Sequence, residues 1–198
     1  MAQAQTAEVA AAAARLVVEE GMEYAGAKRK AARAMANRAE LPSSEAVESE
    51  VRSYLALYCA ETQPAELHAL RQLALRWMLR LAAFRPHLGG AAWRGTATRL
   101  SSLHLDLYCD DPKAMEIELI NRGIDYDSAS MPGGHRSEPV TVLSIAEHCA
   151  ELDETVTLHL AVRDLDDLRG ALKPDAQGRT WRGDAGALRR LLDQGSAR

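Results

Sequence analysis

The apolar residues of this chain change their period once, near residue 86, and that change constrains the fold more than any other feature. Before it they recur every three or four positions, as one face of a helix requires; after it they alternate, as one face of a strand requires. From Thr6 to Phe84 the pattern predicts about four helices. Val9, Ala13, Leu16 and Val17 share one face of the first, which Gly21 should stop. A second, about Tyr24 to Asn37, carries Lys28, Arg29, Lys30, Arg33 and Arg38 beside an Ala-rich face. Leu41-Pro42-Ser43-Ser44 then breaks the chain. Ser43 or Ser44 suits an N-cap, and Glu45, Glu48 and Glu50 follow in the turns where the helix dipole favours acids. Val47, Val51, Tyr54 and Tyr58 mark the apolar side of this third helix. Pro64 suits the first turn of a fourth, in which Leu67, Leu70, Ala74, Trp77, Leu81 and Phe84 form a narrow stripe opposite Arg71, Arg76 and Arg80.

Arg85-Pro86 and Gly89-Gly90 end the helical half. Ala91-Ala92-Trp93 reads as a short strand. Leu103, Leu105 and Leu107 alternate with His104, Asp106 and Tyr108, the signature of a half-buried strand. Asp110-Asp111-Pro112 should start a helix from about Lys113 to Arg122, stopped by Gly123. Ile124 to Tyr126 and Val140 to Leu143 read as strands on either side of the turn Met131-Pro132-Gly133-Gly134. Val156, Leu158, Leu160 and Val162 alternate with Thr157, His159 and Ala161, and Asp164 to Leu172 and Asp184 to Leu192 read as closing helices. The expected class is α+β: an N-terminal helical domain over residues 1–86, packed as one body on an α+β domain over 87–198 whose small mixed sheet has flanking helices.

Composition narrows the class of function. The 198 residues allow one large or two small domains, and no repeat of the length that builds solenoids recurs. A net charge of -4 offers no global attraction to nucleic acid, leaving only local patches. Lysine occurs only at 28, 30, 113 and 173 among the 24 basic residues, a bias that fits a GC-rich, bacterial genome. No run approaches the roughly 18 apolar residues of a membrane helix, and the N-terminus lacks a signal-peptide pattern. Three cysteines, Cys59, Cys109 and Cys149, with no CxxC pair, argue against structural disulfides and a cysteine zinc cluster. A cytoplasmic protein is expected.

The stretch Gly95-Thr96-Ala97-Thr98-Arg99-Leu100-Ser101-Ser102-Leu103-His104-Leu105-Asp106-Leu107 is the most informative in the chain. A small-residue turn leads into a strand with polar side chains at alternate positions. It resembles the signature of the nucleotidyltransferase superfamily, the DNA polymerase beta-like fold, over about residues 88 to 163. The resemblance implies a Gly-Ser or Gly-Thr turn on the triphosphate, and two carboxylates one residue apart on the next strand holding divalent metal. Carried onto this sequence, Gly95 and Thr96 would cradle phosphate, Arg99 would neutralise it, and His104 and Asp106 would hold Mg²⁺ or Mn²⁺ as the catalytic pair, with an NTP as substrate. The logic is physical: glycine lets backbone amides approach phosphate, and residues i and i+2 of a strand share a face. The sequence departs from the pattern at its centre. His104 stands where an acid is expected, a shifted match gives Ser102 and His104, and the neighbouring strand offers His159 instead of a third carboxylate, with Asp164 the nearest acid. Either the fold is kept without the activity, or a different metal is used.

Other residues offer alternatives. His104, Asp106 and His159 form a second constellation, suited to Zn²⁺ or Fe²⁺ if their strands are neighbours, against the plainer reading of polar side chains on an exposed sheet face. The basic cluster of the second helix suits RNA or an acidic partner, or simply a solvated face. Cys59 reads as a buried structural thiol, Cys109 is followed by two acids that should raise its pKa, and Cys149 forms no dyad with His148, because adjacent strand residues point apart. The loops Met131 to Arg136 and Gly170 to Arg182 carry arginines for an anion but match no phosphate-binding motif. Trp77 and Phe84 are candidate anchors for a homodimer. Three functions stand: nucleotidyl transfer, a non-catalytic module binding a nucleotide, RNA or protein, and a metal-dependent hydrolase using His104, Asp106 and His159.

Overall fold

A computed structural model describes residues 2–35, 41–131, 139–175 and 178–195. The chain divides into two compact units, Met1–Leu67 with Thr96–Ser101, and His68–Gly95 with Ser102–Arg198. The division falls after Leu67, and the boundary expected at Pro86 lies inside the second unit. Arg38 and the turn after Met131 lie outside the described residues.

In the first unit, α1 (Ala2–Glu20), α2 (Tyr24–Ala34) and α3 (Ser44–Tyr58) pack around Val9, Ala10, Ala13, Ala14, Val17, Val18, Ala27, Ala31, Val47, Val51 and Leu55. Alanine and valine supply all of these but Leu55, so the helices must approach closely for a core of such small side chains to exclude water. Gly21 ends α1 at φ +66, and a Cβ there would lie 2.5 Å from the Leu100 carbonyl oxygen, so both conformation and space demand glycine. Ser43 caps α3 as expected, its hydroxyl accepting from the Ala46 amide at 3.0 Å.

The helix α4 (Gln63–Arg80) carries the apolar stripe into the second unit, where Leu70, Ala74, Trp77 and Leu81 are buried. Trp77 is 2% exposed, so it fills the core and cannot anchor a dimer as the sequence suggested. A five-stranded sheet follows: β1 (His87–Gly89), β2 (Leu103–Tyr108), β3 (Asp127–Met131), β4 (Val140–Cys149) and β5 (Glu154–Arg163), in the order β1-β2-β5-β4-β3. The central pair β2/β5 is parallel and the other three pairs are antiparallel. Shorter helices complete the unit: α5 (Gly90–Arg94), α6 (Ala114–Asn121), α7 (Leu168–Ala171) and α8 (Ala185–Gly195). The expected α+β class therefore holds.

Three local expectations are corrected. Residues 91–93 belong to the helix α5, because Arg71 on α4 donates to the Ala92 and Trp93 carbonyls at 2.9 and 3.2 Å and Gly95 closes the turn at φ +84. The strand lies just before it, at His87–Gly89. Residues 124–126 are not a strand; β3 begins at Asp127, and all five of its side chains are exposed, so no apolar alternation announces it. Residues 164–172 form a single 3-10 turn, capped by the Asp164 side chain, followed by one turn of helix.

Candidate functional site

Alternation along the central strands separates two faces. Leu103, Leu105 and Leu107 of β2 and Leu158, Leu160 and Val162 of β5 are buried on one. The opposite face carries His104 and Asp106 beside His159, Ala161 and Arg163, because the register pairs His104 with His159, Asp106 with Ala161 and Tyr108 with Arg163. The two histidines and the acid singled out in the sequence are thus brought onto adjacent parallel strands.

Their geometry is specific. The His104 and His159 rings stack with centroids 5.1 Å apart and planes 29° from parallel. Gly90 makes room for His104: it sits at φ +65, and a Cβ there would lie 3.0 Å from the His104 ring. The His159 Nδ1 lies 2.8 Å from the Ser144 hydroxyl on β4, and the His104 Nε2 lies 3.3 Å from the Ser102 hydroxyl.

Asp106 is held differently. Arg163 Nε donates to Oδ1, and Arg182 Nη1 sits 2.7 Å from Oδ2, so each carboxylate oxygen has its own guanidinium. The same Arg182 nitrogen donates to the Tyr108 hydroxyl at 3.0 Å. Burial raises the Tyr108 pKa, the Asp106 charge adds to the rise, and the Arg182 hydrogen bond opposes it. For Arg163, burial favours the neutral form, but the hydrogen bond and charge of Asp106 outweigh it and the pKa rises, with Asp167 contributing least.

Arg182 arrives on a strap. Leu88 of β1 and Gly183 exchange two backbone hydrogen bonds, at 2.9 and 3.0 Å, and Trp93 Nε1 donates to the Thr180 carbonyl at 2.8 Å. Trp93 leaves no room at Gly183: a Cβ there would fall 2.1 Å from the indole ring. The strap and its arginine are therefore positioned by packing as well as by charge.

The residues on this face do not fit a resident metal. Face-to-face stacking sends the in-plane lone pairs of two imidazoles along separate planes, whereas ligation requires them to converge on one point. Both oxygens of Asp106 already face fixed cations, which oppose a third. Among the described residues, no three His, Cys, Asp or Glu side chains are grouped so as to hold an ion.

The proposed phosphate residues are distributed otherwise. Gly95 belongs to the second unit, where it closes α5. Thr96 and Arg99 belong to the first. Thr96 is 2% exposed and its hydroxyl lies 3.4 Å from that of Tyr24, while the Arg99 backbone amide donates to Glu66 at 2.9 Å. Arg163 escaped the sequence reading although alternation from His159 places it on the same face. Arg182 was read only as one of the loop arginines suited to an anion; nothing in the sequence linked it to Asp106, 76 positions away (182 minus 106). Burial raises the Cys109 pKa, with Asp111, Asp110 and Asp164 adding to it, so that thiol is not activated.

No family model matches this sequence, and no curated protein matches it either. Among solved structures, Cid1 bound to the UTP analogue UMPNPP matches with a TM-score of 0.33 and 11% identity, over 52% of this chain and 31% of that one. The Cid1 poly(U) polymerase matches with a TM-score of 0.35 and 14% identity, over 54% and 33%. A cytoplasmic RNA terminal U-transferase matches with a TM-score of 0.33 and 15% identity, over 50% and 30%. The chain spans about a third of the length of these proteins. At these TM-scores and identities the likeness assigns no substrate, partner or activity to this chain.

Proposed function

We propose that the chain is a non-catalytic binding module on a nucleotidyltransferase-like sheet, and that the polar face of β2 and β5 takes a phosphate-bearing ligand, a nucleotide first, without metal. The observation that carries this reading is the pairing of Asp106 with two guanidinium groups, one on each oxygen. Two cations on one carboxylate leave an excess positive charge beside two imidazoles, with Asp167 the next carboxylate acting on Arg163. Such a face favours an anion over a divalent cation, and an arginine presents its donors in a fork that matches phosphate oxygens.

The competing reading is nucleotidyl transfer, with Asp106 and His104 holding Mg²⁺ or Mn²⁺ and Gly95, Thr96 and Arg99 on the triphosphate. What favours it is the placement of His104 and Asp106 two positions apart on β2, beside His159. A thermal-shift titration with nucleoside triphosphates separates the two. The module should be stabilised in the presence of a chelator, by roughly 5–10 °C at a hundredfold excess over its dissociation constant. Stabilisation that needs Mg²⁺, or release of pyrophosphate, overturns the proposal in favour of the enzyme. No response to any nucleotide removes nucleotides as the ligand.

A further inference from the structure

The two edges of the sheet are treated differently. At the β1 edge, the outward N–H and C=O of Leu88 are taken up by Gly183 of the strap. At the other edge, β3 pairs only with β4 among the described residues, and all five of its side chains are exposed. An edge strand presents alternate backbone donors and acceptors to solvent, and soluble proteins blunt such edges with lysine, proline or a bulge. Asp127-Ser128-Ala129-Ser130-Met131 contains no lysine, proline or bulge, and its one charge, Asp127, stands at its first position rather than at its centre. Its small central side chains allow another strand to come alongside.

We propose that β3 is a self-association surface, and that its occupant is the β3 strand of a second copy of this chain, paired antiparallel about a two-fold axis at Ala129. Self-complementarity selects that occupant. With the axis at Ala129, Ser128 faces the second copy's Ser130 and Asp127 faces its Met131, so the strand's one charge never meets its own kind. The contact is isologous and closes at two copies, which leaves no free edge for further growth. A two-fold axis of this kind runs normal to the sheet. The joined sheet therefore has ten strands, with the His104 and Asp106 faces of both copies on the same side. Five residue pairs make a small interface, so the dimer is weak and concentration-dependent.

Sedimentation equilibrium of the full chain from about 10 μM to about 1 mM spans the range in which so small an interface associates. The expected result is a mass that rises from one copy toward two, with amide exchange in β3 slowing over the same range. Ala129→Lys sets two lysines about 5 Å apart across the axis and should weaken association at least roughly tenfold. Ala129→Thr, uncharged and favourable in strands, should keep it or strengthen it. Ala129 is exposed, and far-UV circular dichroism checks that both variants fold. A wild type that stays monomeric at about 1 mM leaves the edge to a partner of other sequence and overturns the proposal. So does a Lys variant that associates as the wild type does, or an exchange rate in β3 that ignores concentration.

Discussion

The two faces of the β2/β5 pair show how differently one sheet can be stabilised. On one, leucines and valine are sealed from water, and their contribution is non-directional and scales with apolar area. On the other, His104, His159, Asp106 and Arg163 are polar and only partly covered, and each is held by a particular partner. The first face tolerates exchange of similar volumes. The second depends on charge balance, because removing one member leaves the others desolvated and unpaired.

The largest expected effect is on the apolar face. Leu105 is 1% exposed in the middle of β2, and Leu105→Ala should cost about 2–5 kcal/mol in denaturant unfolding, whatever the ligand. A cost near that of a surface substitution would break the contrast. Asp106→Ala comes next, at about 1–3 kcal/mol, since Arg163 and Arg182 lose the charge that compensates them. Asp106→Asn in the same assay tests whether charge or packing dominates; a neutral isostere as stable as wild type would show that charge does not.

Gly183→Ala should displace the strap by its clash with Trp93, at about 1–3 kcal/mol, and should release Arg182 from Asp106. The Trp93 and Trp181 fluorescence, together with the nucleotide titration, would report the release. Unchanged fluorescence and binding would mean that Arg182 is held by charge alone.

The smallest effect lies away from both faces. Arg76 on α4 binds both carboxylate oxygens of Glu151, at 2.8 and 3.3 Å, and this hydrogen bonding lowers the Glu151 pKa from 4.5 to about 2. A depressed carboxylate pKa stabilises the fold above its unfolded value and loses that contribution as pH falls. The loss therefore runs from about pH 4.5 down to about pH 2. The pair is substantially solvent-exposed, so the change should stay below about 1 kcal/mol and should vanish in Glu151→Gln; acid unfolding curves of the two proteins would measure it.

Much of the architecture was legible in the chain because period reports burial directly. The α4 stripe from Leu70 to Trp77, the Ser43 cap and the leucine alternation of β2 appear where the sequence placed them, while Phe84 falls in a 3-10 turn past the end of α4. Ala91-Ala92-Trp93 was misread because short apolar runs carry no period, and it took Arg71 on another helix to claim their carbonyls. β3 was displaced for the opposite reason: with every side chain exposed, it leaves no hydrophobic pattern to detect.

For the candidate site, the sequence by itself determined that His104, Asp106 and His159 occupy the polar positions of two strands. Side-chain direction in a strand follows from position alone, and that much needs no tertiary information. Only the tertiary structure decided that those strands are parallel neighbours in a register that stacks the two imidazoles. It also decided that Asp106 faces two arginines, one of them brought by a strap that leans on Trp93 and Leu88. Pairing partners and local charge are set by residues distant in sequence, and local periodicity carries no record of them.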